Sequence, residues 1–238
     1  MKETSDLQEE IKLCNSFFAF VKYLFESEIG PDVQLDLDNI SQMIKGIINS
    51  VRKNHCNLML ALYETGDTDE NYIYLHTLRT VILSLIIGNE LKLPNHKLIE
   101  LGTAALLHDI GMFSLPKDLY LKPIVLSEKE KKLIQNHPIY GYKFLDTYNL
   151  SPAVKIAVLD HHEREDGTGY PRNLAGEKIS LFGKIIAVAC SFEAISSDRV
   201  YKKPVDTHTG IINILKNKTK YYNTAVQALV NSLSIYPV

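Results

Sequence analysis

The amino-acid sequence predicts an all-α fold, a helical bundle around one large core. Apolar residues recur at the spacing of about 3.6 residues that is typical of a helix along most of the chain. No stretch shows the sustained alternation of apolar and polar residues that marks a β-strand. With 238 residues, 45% of them hydrophobic, the chain can bury a substantial core in one domain.

The first predicted helix ends before Gly30-Pro31, a pair that stops helices. We therefore divide the chain into a short N-terminal helical extension, residues 1–36, and a main domain, residues 37–238. A further helix begins after Ser127. The other helices are predicted at about residues 7–27, 38–63, 70–90, 97–110, 153–163, 179–197, 205–216 and 222–233.

Capping residues mark several of these helix ends. Ser127 and Glu130 have the spacing of a capping box, and Ser151 stands directly before a proline, which favours the first helical position. His108 shares one helical stripe with core leucines, so we expect its side chain to point inward. Gly111 is predicted to end that helix.

Charge and cysteine content exclude several classes of protein. Twenty-six basic and 28 acidic residues give a net charge of -2, so no overall field attracts DNA, RNA or an anionic membrane. The apolar run at residues 81–87 is too short for a membrane span, which needs about 20 residues. Three cysteines without close pairs fit a reducing cytoplasm, and they are Cys14, Cys56 and Cys190.

Five of the eight histidines fall on separate predicted helices or at helix ends. One such histidine alone is most often an ordinary core residue, but five together are typical of a metal site inside a bundle. Asp109 adds a carboxylate that can bridge two cations. The five are His76, His108, His137, His161 and His162; we interpret His55, His96 and His208 as ordinary residues.

Five blocks follow one another in an order that chance rarely produces. They are His76, His108-Asp109-Ile110-Gly111, His137-Pro138-Ile139-Tyr140-Gly141-Tyr142, His161-His162-Glu163-Arg164-Glu165-Asp166-Gly167-Thr168-Gly169-Tyr170-Pro171, and Ser197-Asp198-Arg199-Val200-Tyr201. In this order they resemble the HD-GYP family of bacterial phosphodiesterases, which belongs to the HD-domain phosphohydrolases. The resemblance covers residues from about 38 to the C-terminus.

The resemblance implies hydrolysis of the bacterial second messenger cyclic di-GMP to pGpG, GMP or both. It implies two divalent metal ions, with iron expected and manganese or zinc as alternatives. Asp109 would bridge them and, with His108, form the catalytic machinery. His76 and His108 would bind the first metal, and His137, His161 and His162 the second. The residues that would hold the dinucleotide are Gly169, Tyr170, Arg199 and Lys202.

Three positions depart from the family pattern. Met112 replaces a lysine expected near the substrate phosphate, so one donor is lost. Cys190 replaces an aspartate that closes the first metal site; it is either a thiolate ligand or a small buried apolar residue. Tyr72 replaces a glutamate that supports a third metal in part of the family, so we expect two metals at most.

These departures leave two hypotheses. The chain is either an active cyclic di-GMP phosphodiesterase or a degenerate member that acts as a nucleotide receptor or protein-interaction module. The GYP block argues against a phosphohydrolase for another nucleotide. Besides cyclic di-GMP, the expected partners are a signalling protein or a second copy of the chain.

Overall fold

The computed structural model describes residues 2–26, 35–64, 71–117, 119, 126–196 and 207–233. The all-α prediction is confirmed: among these residues there is no β-strand, and one isolated antiparallel bridge joins Asp166 to Ala175. The α-helices are α1 Lys2–Glu26, α2 Leu37–Glu64, α3 Tyr72–Glu90, α4 Asn95–Leu107, α5 Glu128–Ile134, α6 His137–Leu145, α7 Pro152–Asp160, α8 Leu181–Ser196, α9 Thr207–Lys216 and α10 Asn223–Leu233.

Helix α3 is the centre of the bundle. It packs against α1, α2, α4, α8 and α10. Most of its side chains from Ile73 to Gly88 are buried, which is the pattern of a helix that is apolar on all sides and surrounded by others. His76 therefore lies in the interior, one turn from the N-terminal end of this helix. Every helix among the described residues is too short or too polar to span a bilayer.

Helix α1 contributes to the same core. Cys14, Phe17 and Val21 have no exposed surface and belong to the apolar cluster that contains residues of α2, α3 and α4. The helix packs directly on α2 and α3. The boundary between an extension of residues 1–36 and a main domain stays a prediction.

Several helix boundaries differ from the sequence-based prediction: α1 begins at Lys2 instead of about residue 7, α7 ends at Asp160 instead of about residue 163, and α6 was not predicted. Helix α2 is interrupted at Asn54, whose backbone is extended and whose side chain accepts hydrogen bonds from the N–H groups of Cys56 and Asn57. The asparagine thus caps the second half of the helix, which apolar spacing alone does not reveal. Helix α4 ends at Leu107 instead of residue 110, and Gly111 lies within a following 3-10 helix, Ile110–Ser114.

The predicted caps are present. The Ser127 hydroxyl accepts a hydrogen bond from the Glu130 N–H, and the Glu130 carboxylate accepts one from the Ser127 N–H. The Ser151 hydroxyl accepts from the N–H of Val154 at the start of α7. These caps fix where α5 and α7 begin, and His137 and His161 follow shortly after the C-terminal ends of these two helices.

Replacing Phe17 by alanine tests whether α1 is part of the core. Because the ring is fully buried, Phe17→Ala is expected to lower the free energy of unfolding by about 3–5 kcal/mol. Tyr23→Ala, on the same helix but 72% exposed, should change it by about 0.5 kcal/mol or less. Urea unfolding of both variants measures the difference; equal stabilities would show that α1 is dispensable to the core.

Candidate metal centre

Three of the predicted histidine ligands are oriented in the same way. In each, the Nδ1–H donates to the backbone carbonyl three residues earlier, so the ring, once neutral, presents an unprotonated Nε2 to the interior. The pairs are His108 with Ala105 at 2.7 Å, His137 with Ile134 at 2.8 Å, and His161 with Val158 at 2.7 Å. Each of these rings can therefore offer a nitrogen lone pair to a cation.

A buried carboxylate orients the fourth ring. Nδ1 of His76 is hydrogen bonded to the carboxylate of Glu193, which is 1% exposed on α8. Arg79 approaches the other carboxylate oxygen at 3.8 Å. Sequence reasoning missed Glu193; its signal is that it is the one acidic residue in a mostly apolar helix.

Asp109 lies between two pairs of histidines. Its Oδ2 is 3.3 Å from Nε2 of His108 and 3.7 Å from Nε2 of His76. Its Oδ1 is 3.1 Å from Nε2 of His137 and 3.6 Å from Nε2 of His161. One carboxylate oxygen thus faces each pair, which is the arrangement of a carboxylate that bridges two cations.

The described residues form two groups whose possible ligand atoms lie within 4.8 Å of one another. All seven residues predicted as metal ligands are members, although their role as ligands stays a prediction. The first group consists of His76, His108 and Cys190, and the second of Asp109, His137, His161 and His162. Imidazole nitrogens with a carboxylate and a thiol suit iron, zinc or a similar transition metal and fit magnesium or calcium poorly.

Protonation states favour cation binding by the second group. Burial lowers the pKa of His161 to about 4 and also holds the pKa of His162 well below its usual range. Although burial opposes ionisation, the neighbouring His108 holds the pKa of Asp109 well below its ordinary value. At neutral pH the second group therefore combines the anionic carboxylate of Asp109 with the neutral imidazoles of His161 and His162.

In the first group, neighbouring charges favour a protonated histidine and an ionised cysteine. Although burial favours the neutral ring, the Asp109 carboxylate raises the pKa of His108 to about 10. Although burial also favours the neutral thiol, His76 lowers the pKa of Cys190 to about 6. Protons and a metal ion therefore compete for this group, because binding a cation through the imidazole nitrogens requires their deprotonation.

The loop after α7 is held by the side chain of Glu163. This carboxylate is 1% exposed and accepts hydrogen bonds from the N–H groups of Arg172 at 2.7 Å and Leu174 at 2.9 Å. Gly169 packs against the backbone of the same turn, where an added Cβ would lie 2.4 Å from the Cα of Glu163. Only glycine permits this close approach.

The folded loop brings Tyr170 onto the second group. Its ring stacks on His162, with centroids 4.6 Å apart, and meets the edge of His137 at 6.4 Å. A cavity of about 510 Å³ opens beside it, lined by Lys132, Gln135, Asn136, Ile139, Thr168, Gly169, Tyr170, Pro171 and Asn173. Two predicted substrate-binding residues, Gly169 and Tyr170, therefore line this cavity, whereas Arg199 and Lys202 lie outside the described residues.

The turn that carries Asp109 packs closely on α6. At Gly111 an added Cβ would lie 2.0 Å from the carbonyl oxygen of His137, so no larger residue fits. Met112 follows and is buried with Ile73 and Leu115 in a small apolar cluster. The side chain in the position of the expected lysine thus lies in apolar surroundings, three residues after Asp109.

Comparisons with known proteins agree with this geometry. A family model described as an HD domain matches residues 56–226. The cyclic di-GMP phosphodiesterase PdeB of Borreliella burgdorferi is 38% identical over 169 residues, which are 71% of this chain and 45% of that protein. The cyclic di-GMP phosphodiesterase PA4108 of Pseudomonas aeruginosa is 35% identical over 98% of this chain and 56% of its own length. This chain thus spans about half the length of these relatives.

A solved structure shares the fold. Bd1817, described as an HDG"Y"P protein from Bdellovibrio bacteriovorus, superposes with a TM-score of 0.76 over 93% of this chain and 70% of that one. The two sequences are 19% identical, so this similarity concerns the fold alone.

Glu163→Gln tests whether the carboxylate organises the loop. The amide leaves one acceptor for two N–H donors, so we expect the free energy of unfolding to fall by about 1–3 kcal/mol. We also expect metal affinity at the second group to fall by about 10- to 100-fold, because Tyr170 and His162 lose their support. Urea unfolding and metal titration measure both effects. Glu177→Gln, at a carboxylate that is 98% exposed, is the control and should change neither.

Proposed function

The chain belongs to the HD domain family, and we propose that it hydrolyses cyclic di-GMP to pGpG, GMP or both with two divalent metal ions. The observation that carries this proposal is the Asp109 carboxylate, with one oxygen directed at each of two histidine pairs. The names of the relatives support the substrate. The same names favour an enzyme over a degenerate receptor.

The proposed ligands follow the two groups. His76, His108 and Cys190 would hold the first metal, His137, His161 and His162 the second, and Asp109 would bridge them. Such a pair of ions supplies Lewis-acid activation of the phosphodiester and of the attacking water. Iron is the proposed metal, with manganese or zinc as alternatives, because imidazole and carboxylate ligands accept all three.

The protein residues would bind and orient the dinucleotide. The cavity beside Tyr170 is large enough for one nucleotide half, and the aromatic ring offers a face to a base. Gly169 lines the same cavity. Arg199 and Lys202 are proposed to contact phosphate, for which a guanidinium is well suited. A cytoplasmic location and a protein partner or homodimer also belong to this proposal.

The hydrolysis assay tests the proposal directly. Protein purified without oxygen is analysed for metal, loaded with iron, manganese or zinc, and incubated with cyclic di-GMP, and the products are separated by ion-pair chromatography. We expect pGpG or GMP from the parent and none from Asp109→Asn, which loses the bridging charge. The control is His96→Gln, an exposed histidine away from the centre, which should retain turnover. Tight nucleotide binding without product under any metal would favour the receptor hypothesis.

Met112→Lys tests whether the missing donor limits the rate. Restoring a donor beside the phosphate is expected to raise kcat by up to about 10²-fold, since loss of one such donor typically costs about 10²–10³ in rate. Met112→Leu, which keeps the apolar cluster with Ile73, should leave kcat near the parent value. If Met112→Lys with Cys190→Asp created activity that the parent lacks, the parent would be the degenerate form.

A further inference from the structure

Two residues of α8 contact the same imidazole. Cys190 and Glu193 are one helical turn apart, and both face His76 on α3. Glu193 holds Nδ1, while the Sγ of Cys190 is 3.6 Å from Nε2. The thiol of Cys190 thus lies near Nε2, the ring nitrogen of His76 that Glu193 leaves available for a cation.

The two buried cysteines occupy different surroundings. Cys14 has no exposed surface and belongs to the large apolar cluster of the core. Cys190 is 8% exposed, yet it lies outside that cluster, among His76 and His108 beside Asp109. A cysteine that merely fills apolar space would have surroundings like those of Cys14. The surroundings of Cys190 are instead those expected of a metal ligand.

We propose that the Cys190 thiolate makes the two metal sites chemically unequal, so that the first site selects a thiophilic ion and the second does not. The first site combines two imidazole nitrogens, one sulfur and one oxygen of Asp109, whereas the second combines three imidazole nitrogens and the other oxygen. This inference rests on the proposed two-metal centre.

The selectivity follows from the polarisability of sulfur. Thiolate prefers zinc, cobalt(II) and iron(II), whereas manganese(II) and magnesium prefer oxygen ligands. The second site has no sulfur, so manganese remains acceptable there. With manganese alone, the first site should stay largely empty, whereas zinc should fill both.

Cobalt(II) absorption tests the thiolate ligand. Metal-free protein kept without oxygen is titrated with cobalt(II) while the near-ultraviolet and visible spectra are recorded. We expect a sulfur-to-cobalt charge-transfer band in the near ultraviolet that saturates at one cobalt per chain. Cys190→Asp and Cys190→Ala should lose this band but retain visible bands from the second site. Cys14→Ala and Cys56→Ala, the matched controls, should keep it.

Manganese stoichiometry gives a second readout. After dialysis against manganese(II), we expect one bound ion in the parent and two in Cys190→Asp, with at least about a tenfold gain in first-site affinity. With zinc, both proteins should hold two. Absence of the charge-transfer band in the parent, its persistence in both Cys190 variants, or two manganese ions in the parent would overturn the inference.

These measurements use no nucleotide, so their outcome is separate from the proposed activity. A parent that shows the band but does not hydrolyse cyclic di-GMP would overturn the enzyme proposal alone. A parent that hydrolyses it without the band would overturn the sulfur ligand alone. Unfolding curves of the Cys190→Asp and Cys190→Ala variants establish that both are folded before either spectrum is interpreted.

Discussion

The hydrogen bond from Nδ1 of a histidine to a carbonyl in the last turn of a helix is the interaction on which the candidate metal centre depends. The last four carbonyls of a helix have no partner within it. Ala105, Ile134 and Val158 all stand in such final turns, of α4, α5 and α7, and each accepts from the ring three residues later. The histidine ring thus satisfies an unpaired carbonyl at the helix end, and the same hydrogen bond orients the ring so that Nε2 faces the interior.

This geometry requires the helix ends to approach one another closely. The turn with Asp109 can reach between the histidine pairs only because Gly111 lets the backbone contact the start of α6, where a Cβ would meet the carbonyl oxygen of His137. Gly169 has the same role against the turn of Glu163. The glycines of both motifs are therefore explained by packing, before any ligand is considered.

Local signals in the sequence predicted the all-α fold and most helix starts, because spacing and caps act over a few residues. The capping box at Ser127 and the cap at Ser151 are confirmed, whereas the interruption at Asn54 was not predicted and the end of α4 was predicted wrongly. Glu193 was missed because it is 117 residues from His76, and no local pattern relates the two. The assignment of the proposed ligands to two metals came from the family resemblance, which relates residues that are far apart in the sequence.

Two of the three departures from the family pattern, Met112 and Cys190, lie on the side of the candidate centre formed by α3. Met112 packs with Ile73, one turn before His76 on α3, and Cys190 contacts His76 itself. Methionine removes a positive charge that a lysine would direct at the phosphate, whereas a thiolate keeps the negative charge of the aspartate it replaces. In the proposed enzyme, the first site would therefore offer an anionic substrate less positive charge from the protein. Substrate binding there would then depend more strongly on the cation, so the occupancy of this site should control affinity for the dinucleotide as well as the chemical step.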